Sequence, residues 1–147
     1  GERPAACAAA ALAAARAHGV PTSLDLNWRP ALWGTRAPVE VVGPLAGGAT
    51  LLCGNRIAFA RMLGIAHPGD DATAAAAVAR EAARVHGSRW VAVTRRDVRS
   101  ASEHAWSAVL LDAAADTVHE GDRWVVRVVD RVGGGDSFVA ALLHALW

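Results

Sequence analysis

The sequence contains no lysine, so arginine supplies all 15 of its Lys and Arg positions. This absence excludes a Walker A phosphate loop, the strand lysine of protein kinases and any enzyme that forms a Schiff base. Cysteine is also scarce, since Cys7 and Cys53 lie far apart and form no C-x-x-C pair. A disulfide framework and a zinc ribbon therefore have no support, and we expect a protein of the reducing cytoplasm.

Long apolar runs and blocks of charge are missing as well. Hydrophobic residues make up 53% of the chain, largely as alanine, but no stretch reaches the roughly 20 strongly apolar residues that a membrane span needs. The Ala-rich opening lacks the charged start and leucine-type middle of a signal peptide. The net charge of +1 comes without a basic block, which argues against a nucleic-acid surface. We expect a small-molecule partner, with no membrane and no nucleic acid.

Helical and strand patterns alternate along the 147 residues at the spacing of βαβ units, which predicts one α/β domain. Asp70 or Asp71 is the expected N-cap of the third helix. The missing initiator Met and the apolar face that still runs at Trp147 predict a partial domain over 1–147, cut at both ends. We expect helices at 5–17, 56–63, 70–85 and from about 135, and strands at 22–26, 50–53, 89–94, 106–111 and 124–129.

The most informative segment is 129–138, where three glycines and Asp136 join an apolar strand to an apolar helix. Backbone N–H groups of successive glycines can approach an anion closely, and a following helix adds the positive end of its dipole. An aspartate beside such an anion pocket can take a proton from a hydroxyl during phosphoryl transfer. The alternative is a flexible turn that Asp136 merely caps.

Segment 130–138, D-R-V-G-G-G-D-S-F, resembles the D-T-x-G-A-G-D-x-F signature of the ribokinase-like (PfkB) carbohydrate kinases. Its form is typical of the subgroup of 2-keto-3-deoxygluconate kinases. Segment 25–33 resembles the D-x-N-x-R-x-x-L-W stretch of the same subgroup, and weaker agreement at 52–65 and 91–94 extends the resemblance over most of the chain. The resemblance implies a ribokinase-like three-layer α/β/α fold with a mainly parallel central sheet, truncated at both ends.

The resemblance also implies an activity, the transfer of the γ-phosphate of ATP to the primary hydroxyl of 2-keto-3-deoxygluconate or a similar acidic sugar. ATP and Mg²⁺ are the implied cofactors, and the sugar acid is the implied partner. Asp136 would be the general base, and the amides of Gly133, Gly134 and Gly135 would form the anion hole. Whether a longer parent protein forms homo-oligomers stays open.

Arg29 would bind the sugar acid, because a planar guanidinium can hold a carboxylate through two hydrogen bonds. Asp25 and Asn27 would orient Arg29 or face the phosphates, although short polar residues at the end of a strand often only shape a turn. Nucleotide binding is assigned by the resemblance to Asn55, Thr94 and Arg131.

Besides Arg131 and Gly134, which replace the threonine and alanine of the signature, the sequence departs from the family pattern at two further places. Family members carry N-x-x-E, whereas Asn55 is followed by Arg56, Ile57 and Ala58, so the carboxylate near magnesium is missing. The usual glycine after the nucleotide-side strand is also absent, since Thr94 leads into two arginines. These departures keep open a module that binds nucleotide or sugar phosphate without catalysis.

A Rossmann oxidoreductase is a further alternative. Its G-x-G-x-x-G motif requires a glycine where Phe138 stands and an early position in the fold.

Overall fold

A computed structural model describes residues 2–130 and 132–147 of the chain. A short 3-10 helix covers Pro30–Leu32, after the first strand. The helices are α1 (Glu2–Ala17), α2 (Pro38–Ala46), α3 (Arg56–Leu63), α4 (Ala72–His86) and α5 (Gly134–Leu146). The strands are β1 (Ser23–Asp25), β2 (Leu51–Asn55), β3 (Trp90–Val98), β4 (Glu103–Asp112), β5 (Thr117–Glu120) and β6 (Trp124–Arg127).

These strands form one sheet with a parallel and an antiparallel part. β1, β2 and β3 are parallel neighbours, and Leu52 pairs with both Leu24 and Val91. β4 runs antiparallel to β3, and β5 and β6 pair with different halves of β4. Helices connect the parallel strands because parallel neighbours need a crossover. The carboxyl ends of β1, β2 and β3 therefore lie together at one edge.

The main core lies between the sheet and helices α2, α3 and α4. Phe59 of α3 is fully buried there, as are Val91 and Val93 of β3. Six residues of α4 are buried, five of them alanines, and small side chains let this helix lie close to the sheet.

Helix α5 covers the opposite face of the sheet. Its half-buried Phe138, Val139, Leu142 and Leu143 pack against buried residues of β2 and β3. The described residues thus form helix, sheet and helix layers, which confirms the predicted three-layer fold with its parallel central strands. No described helix has the length and apolar character needed to cross a membrane.

The predicted bounds of the helices and strands are close to the observed ones where the hydrophobic pattern of the sequence is periodic. The helix predicted over 56–63 has those bounds, and Asp71, rather than Asp70, caps α4 through its Oδ1, which accepts a bond from the Ala74 N–H at 2.8 Å. Two elements were missed, α2 and β5. Helix α2 contains Gly43 and Pro44, both unfavourable inside helices, and only tertiary packing sustains it.

Candidate active site

A cleft lies at the carboxyl ends of β1, β2 and β3, where α/β sheets commonly bind their ligands. It consists of two adjoining cavities of about 540 and 200 Å³. Both cavities are lined by Asp25, Asn27, Arg29 and Gly135, which the chain brings together from β1 and from the start of α5. Asp136 lines the larger cavity. The structure thus places the two segments predicted to carry the chemistry against each other.

The glycine run forms the uncapped N-terminus of α5. Gly133 is the N-cap and has a left-handed φ of +79°, which a residue with a Cβ rarely adopts. Its carbonyl accepts the Ser137 N–H at 2.8 Å, and no side chain caps the helix. A Cβ on Gly135 would meet nothing within 4 Å, so the space beside its backbone is open. Gly133 and Gly135 line the cleft, whereas Gly134 lines neither of its two cavities. The Gly135 amide, in the first turn of α5, is therefore available to an anion in the cleft.

Asp136 is an exposed residue of the first turn of α5. The alternative in which it merely caps the helix is wrong, because Gly133 occupies the cap position and no side-chain cap forms. Before the run, Asp130 accepts the Val132 N–H through Oδ1 at 2.9 Å, which shapes the turn into the glycines. Arg131 lies outside the described residues, so its predicted contact with nucleotide stays a prediction.

Arg29 is held at the end of β1 by its neighbours. Its Nη1 donates to the Trp28 carbonyl at 3.2 Å, and Trp28 stacks on Trp33 with ring centroids 6.3 Å apart. The Leu26 N–H donates to the Cys53 carbonyl at 2.7 Å, which ties this segment to β2. Arg29 therefore lines the cleft from a segment that is hydrogen-bonded to β2.

Charge links the two sides of the cleft. Burial raises the pKa of Asp25, the negative charge of Asp136 raises it further, and the positive charge of Arg29 opposes both. The nearby thiol of Cys53 is buried, and this burial together with the charge of Asp25 raises its pKa to about 12. The charge of Asp136 therefore reaches Asp25 across the space that a ligand would enter.

Asn55, the last residue of β2, and Thr94, in the middle of β3, line the smaller cavity. They are register partners, and Asn55 also caps α3, since its Oδ1 accepts the Ala58 N–H at 2.9 Å. The structure thus gives Asn55 a structural role besides its predicted contact with nucleotide. The predicted contact of Thr94 with nucleotide stays a prediction.

The residues after Asn55 do not fit a magnesium site. Arg56 stands at the start of α3, and its Nη2 donates to the His67 carbonyl at 3.0 Å. No group of three His, Cys, Asp or Glu side chains that could hold a metal ion occurs within 2–130 and 132–147. Residues 56–58 at the start of α3 therefore offer a cation no carboxylate where the family pattern has one.

Arg96 and Trp106 also line the smaller cavity, and neither was predicted from the sequence as a site residue. Arg96 follows Thr94 by two positions in β3, so strand alternation puts both on one face. This alternation is the sequence signal that could have identified Arg96 as a site residue. The structure also disfavours the Rossmann alternative, because the glycine run follows the last described strand, which is antiparallel to β4.

Comparisons with known proteins agree with this fold and site. No curated protein matches the sequence. The structure is similar to the crystal structure of a 2-dehydro-3-deoxygluconokinase from Thermotoga maritima, with a TM-score of 0.85 and 34% identity over 91% of this chain and 40% of that chain. It also resembles a PfkB family carbohydrate kinase from Listeria grayi DSM 20601, with a TM-score of 0.81 over 97% of this chain and 42% of that chain. The identity there is 23%, which shows the fold alone.

The chain spans about two fifths of the length of these two structures. The family described as pfkB family carbohydrate kinase matches residues 1–147, the whole sequence. Together with the 34% identity to the Thermotoga maritima enzyme, this match shows that the chain belongs to the PfkB family of carbohydrate kinases.

Proposed function

We propose that the chain is part of an ATP-dependent sugar kinase that phosphorylates the primary hydroxyl of 2-keto-3-deoxygluconate or a similar acidic sugar. One observation carries the proposal: Asp136, Gly133 and Gly135, at the start of α5, line the same cavity as Arg29. Family membership supports the kinase chemistry, and the Thermotoga maritima neighbour, itself a 2-dehydro-3-deoxygluconokinase, supports the sugar acid.

In the proposed reaction, the Asp136 carboxylate accepts the proton of the primary hydroxyl as the hydroxyl oxygen attacks the γ-phosphorus of ATP. The bond from that phosphorus to the bridging oxygen breaks, and ADP leaves. The amides of Gly133, Gly134 and Gly135 are proposed to stabilise the negative charge on the transferred group, because donors already in place need no reorganisation. Gly133 also supplies the left-handed turn at the start of α5.

Arg29 is proposed to bind the carboxylate of the sugar acid, with Asp25 and Asn27 beside it. Asn55, Thr94 and Arg131 are proposed to contact the nucleotide. Magnesium is proposed to enter with ATP, because Mg²⁺ in kinases is commonly held through substrate phosphates and few carboxylates. The cytoplasmic location stays a prediction.

A steady-state assay of the intact natural protein with ATP tests the proposal. We expect turnover with 2-keto-3-deoxygluconate and much slower turnover with neutral sugars such as ribose or fructose. Arg29→Ala should raise the KM for the sugar acid by about tenfold, the loss expected for a charged hydrogen bond. Arg36→Ala is the matched control, since this exposed arginine lines neither cavity of the cleft.

A second candidate function is nucleotide binding without catalysis. The observation that favours it is Arg56, which stands in the segment where the family carries its missing carboxylate. Binding of ATP with no phosphorylation of any sugar acid would select this candidate and reject the kinase proposal.

A further inference from the structure

Three consecutive charged residues of β3 divide between two faces of the sheet. Arg95 forms an ion pair with Glu120 at 3.4 Å, and Asp97 pairs with Arg123. Arg96 points to the other face because side chains alternate along a strand. Within the described part of the chain, Arg96 has no carboxylate partner.

Trp106 positions the Arg96 side chain. The two residues are cross-strand partners of β3 and β4, and the guanidinium carbon lies 5.9 Å from the centroid of the indole ring. A cation over an aromatic face at this distance is attracted to it, so the indole serves as a platform without satisfying the N–H donors of the guanidinium. Those donors remain available to a ligand.

The cavity that Arg96 lines already contains candidate phosphate contacts. Asn55, Thr94 and Gly135 line it together with Arg96, and Gly135 belongs to the uncapped start of α5. Phosphate groups carry concentrated negative charge, and a guanidinium binds them through two parallel hydrogen bonds. Because the chain has no lysine, an arginine is the side chain that we expect to bind phosphate here.

We propose that Arg96 binds a phosphate of the nucleotide donor across the smaller cavity from the Gly135 amide. The identity of the donor rests on the proposed function, whereas the binding of a polyphosphate anion at Arg96 does not. The sequence assigned no role to this residue, since it stands where the family pattern loses its usual glycine.

Calorimetric titration of the intact natural protein with ATP and with tripolyphosphate tests this inference. Arg96→Ala should weaken both affinities by about tenfold, the loss expected for one charged hydrogen bond. Arg96→Lys should recover part of the loss, and Trp106→Leu should weaken binding because the platform is removed. Arg99→Ala is the matched control, since this exposed arginine of the same hairpin pairs with Glu103 outside the cavity.

In turnover experiments, Arg96→Ala should raise the KM for ATP and leave the KM for the sugar acid unchanged. Unchanged affinity for tripolyphosphate in Arg96→Ala, or no binding of tripolyphosphate by the unmodified protein, would overturn the inference. A higher KM for 2-keto-3-deoxygluconate in Arg96→Ala, with the KM for ATP unchanged, would place Arg96 on the sugar side and also overturn it. Loss of anion binding in a protein that phosphorylates no sugar would support the inference while rejecting the proposed function.

Discussion

Gly54 is the second-last residue of β2, and it lies beside the segment after β1 that carries Asn27 and Arg29. A Cβ built on Gly54 would lie 3.0 Å from the Leu26 Cβ and 3.5 Å from the Ala58 Cβ. Leu26 is only 1% exposed, so it has little room to move away. Gly54→Ala should therefore lower the free energy of unfolding by about 1–3 kcal/mol, as overpacked cores do. Each kcal/mol corresponds to a decrease of about 2–4 °C in Tm for a chain of this size.

The measurement is urea or thermal unfolding of Gly54→Ala beside Gly43→Ala. Gly43 lies inside α2, and a Cβ there would meet nothing within 4 Å. Alanine is the better helix former, so this control should gain about 0.5–1 kcal/mol. The substitution at Gly54 should also raise the KM for the sugar acid, because Leu26 leads directly into the cleft. A Gly54→Ala protein as stable as the unmodified one would refute the argument from close approach.

Three further predictions follow from the same contacts. Asn55→Ala should lower the free energy of unfolding by about 1 kcal/mol, because the N-cap of α3 is lost. Asn55→Ser should retain the cap. Weaker ATP binding by Asn55→Ser at unchanged stability would therefore show that Asn55 contacts the nucleotide directly. Because burial and the charge of Asp136 raise the pKa of Asp25, ionised Asp25 opposes folding, and Asp25→Asn should be more stable at neutral pH. This gain should vanish as the pH falls below the ordinary value of 3.8, where Asp25 is protonated in both states; equal gains in acid and at neutrality would contradict it. Cys53, with its pKa raised to about 12, should resist iodoacetamide in mildly alkaline buffer while exposed Cys7 reacts, so mass spectrometry should find one modification per native chain.

The fold could be predicted where hydrophobic periodicity and caps agree. Helix α3 was predicted to the residue because Asn55 caps its start and Gly64 ends it in the left-handed conformation. Helix α2 was missed because its Gly43 and Pro44 oppose helix formation locally, and burial of Val42 and Ala46 decides the outcome. Such burial depends on residues distant in the sequence, which local patterns do not contain.

The site could be predicted where it rests on motifs. The glycine run and the segment that contains Arg29 line one cavity, as a shared site needs, while the roles of their residues stay predictions. Arg96 was missed because its importance depends on a partner in another strand, Trp106, and on the ion pairs that engage the charged residues beside it. Pairing across strands is set by register, which a single sequence does not reveal.

The central claim is that Asp136 accepts a proton while the amides at the start of α5 stabilise the transferred phosphoryl group. Single-turnover phosphorylation of 2-keto-3-deoxygluconate by the Asp136→Asn protein, with ATP affinity measured on the same sample, tests this claim most directly. We predict that the rate falls by about 10²–10⁴-fold, the usual contribution of a general base, while ATP affinity is retained. A mutant that phosphorylates the sugar acid as fast as the unmodified protein would contradict the account.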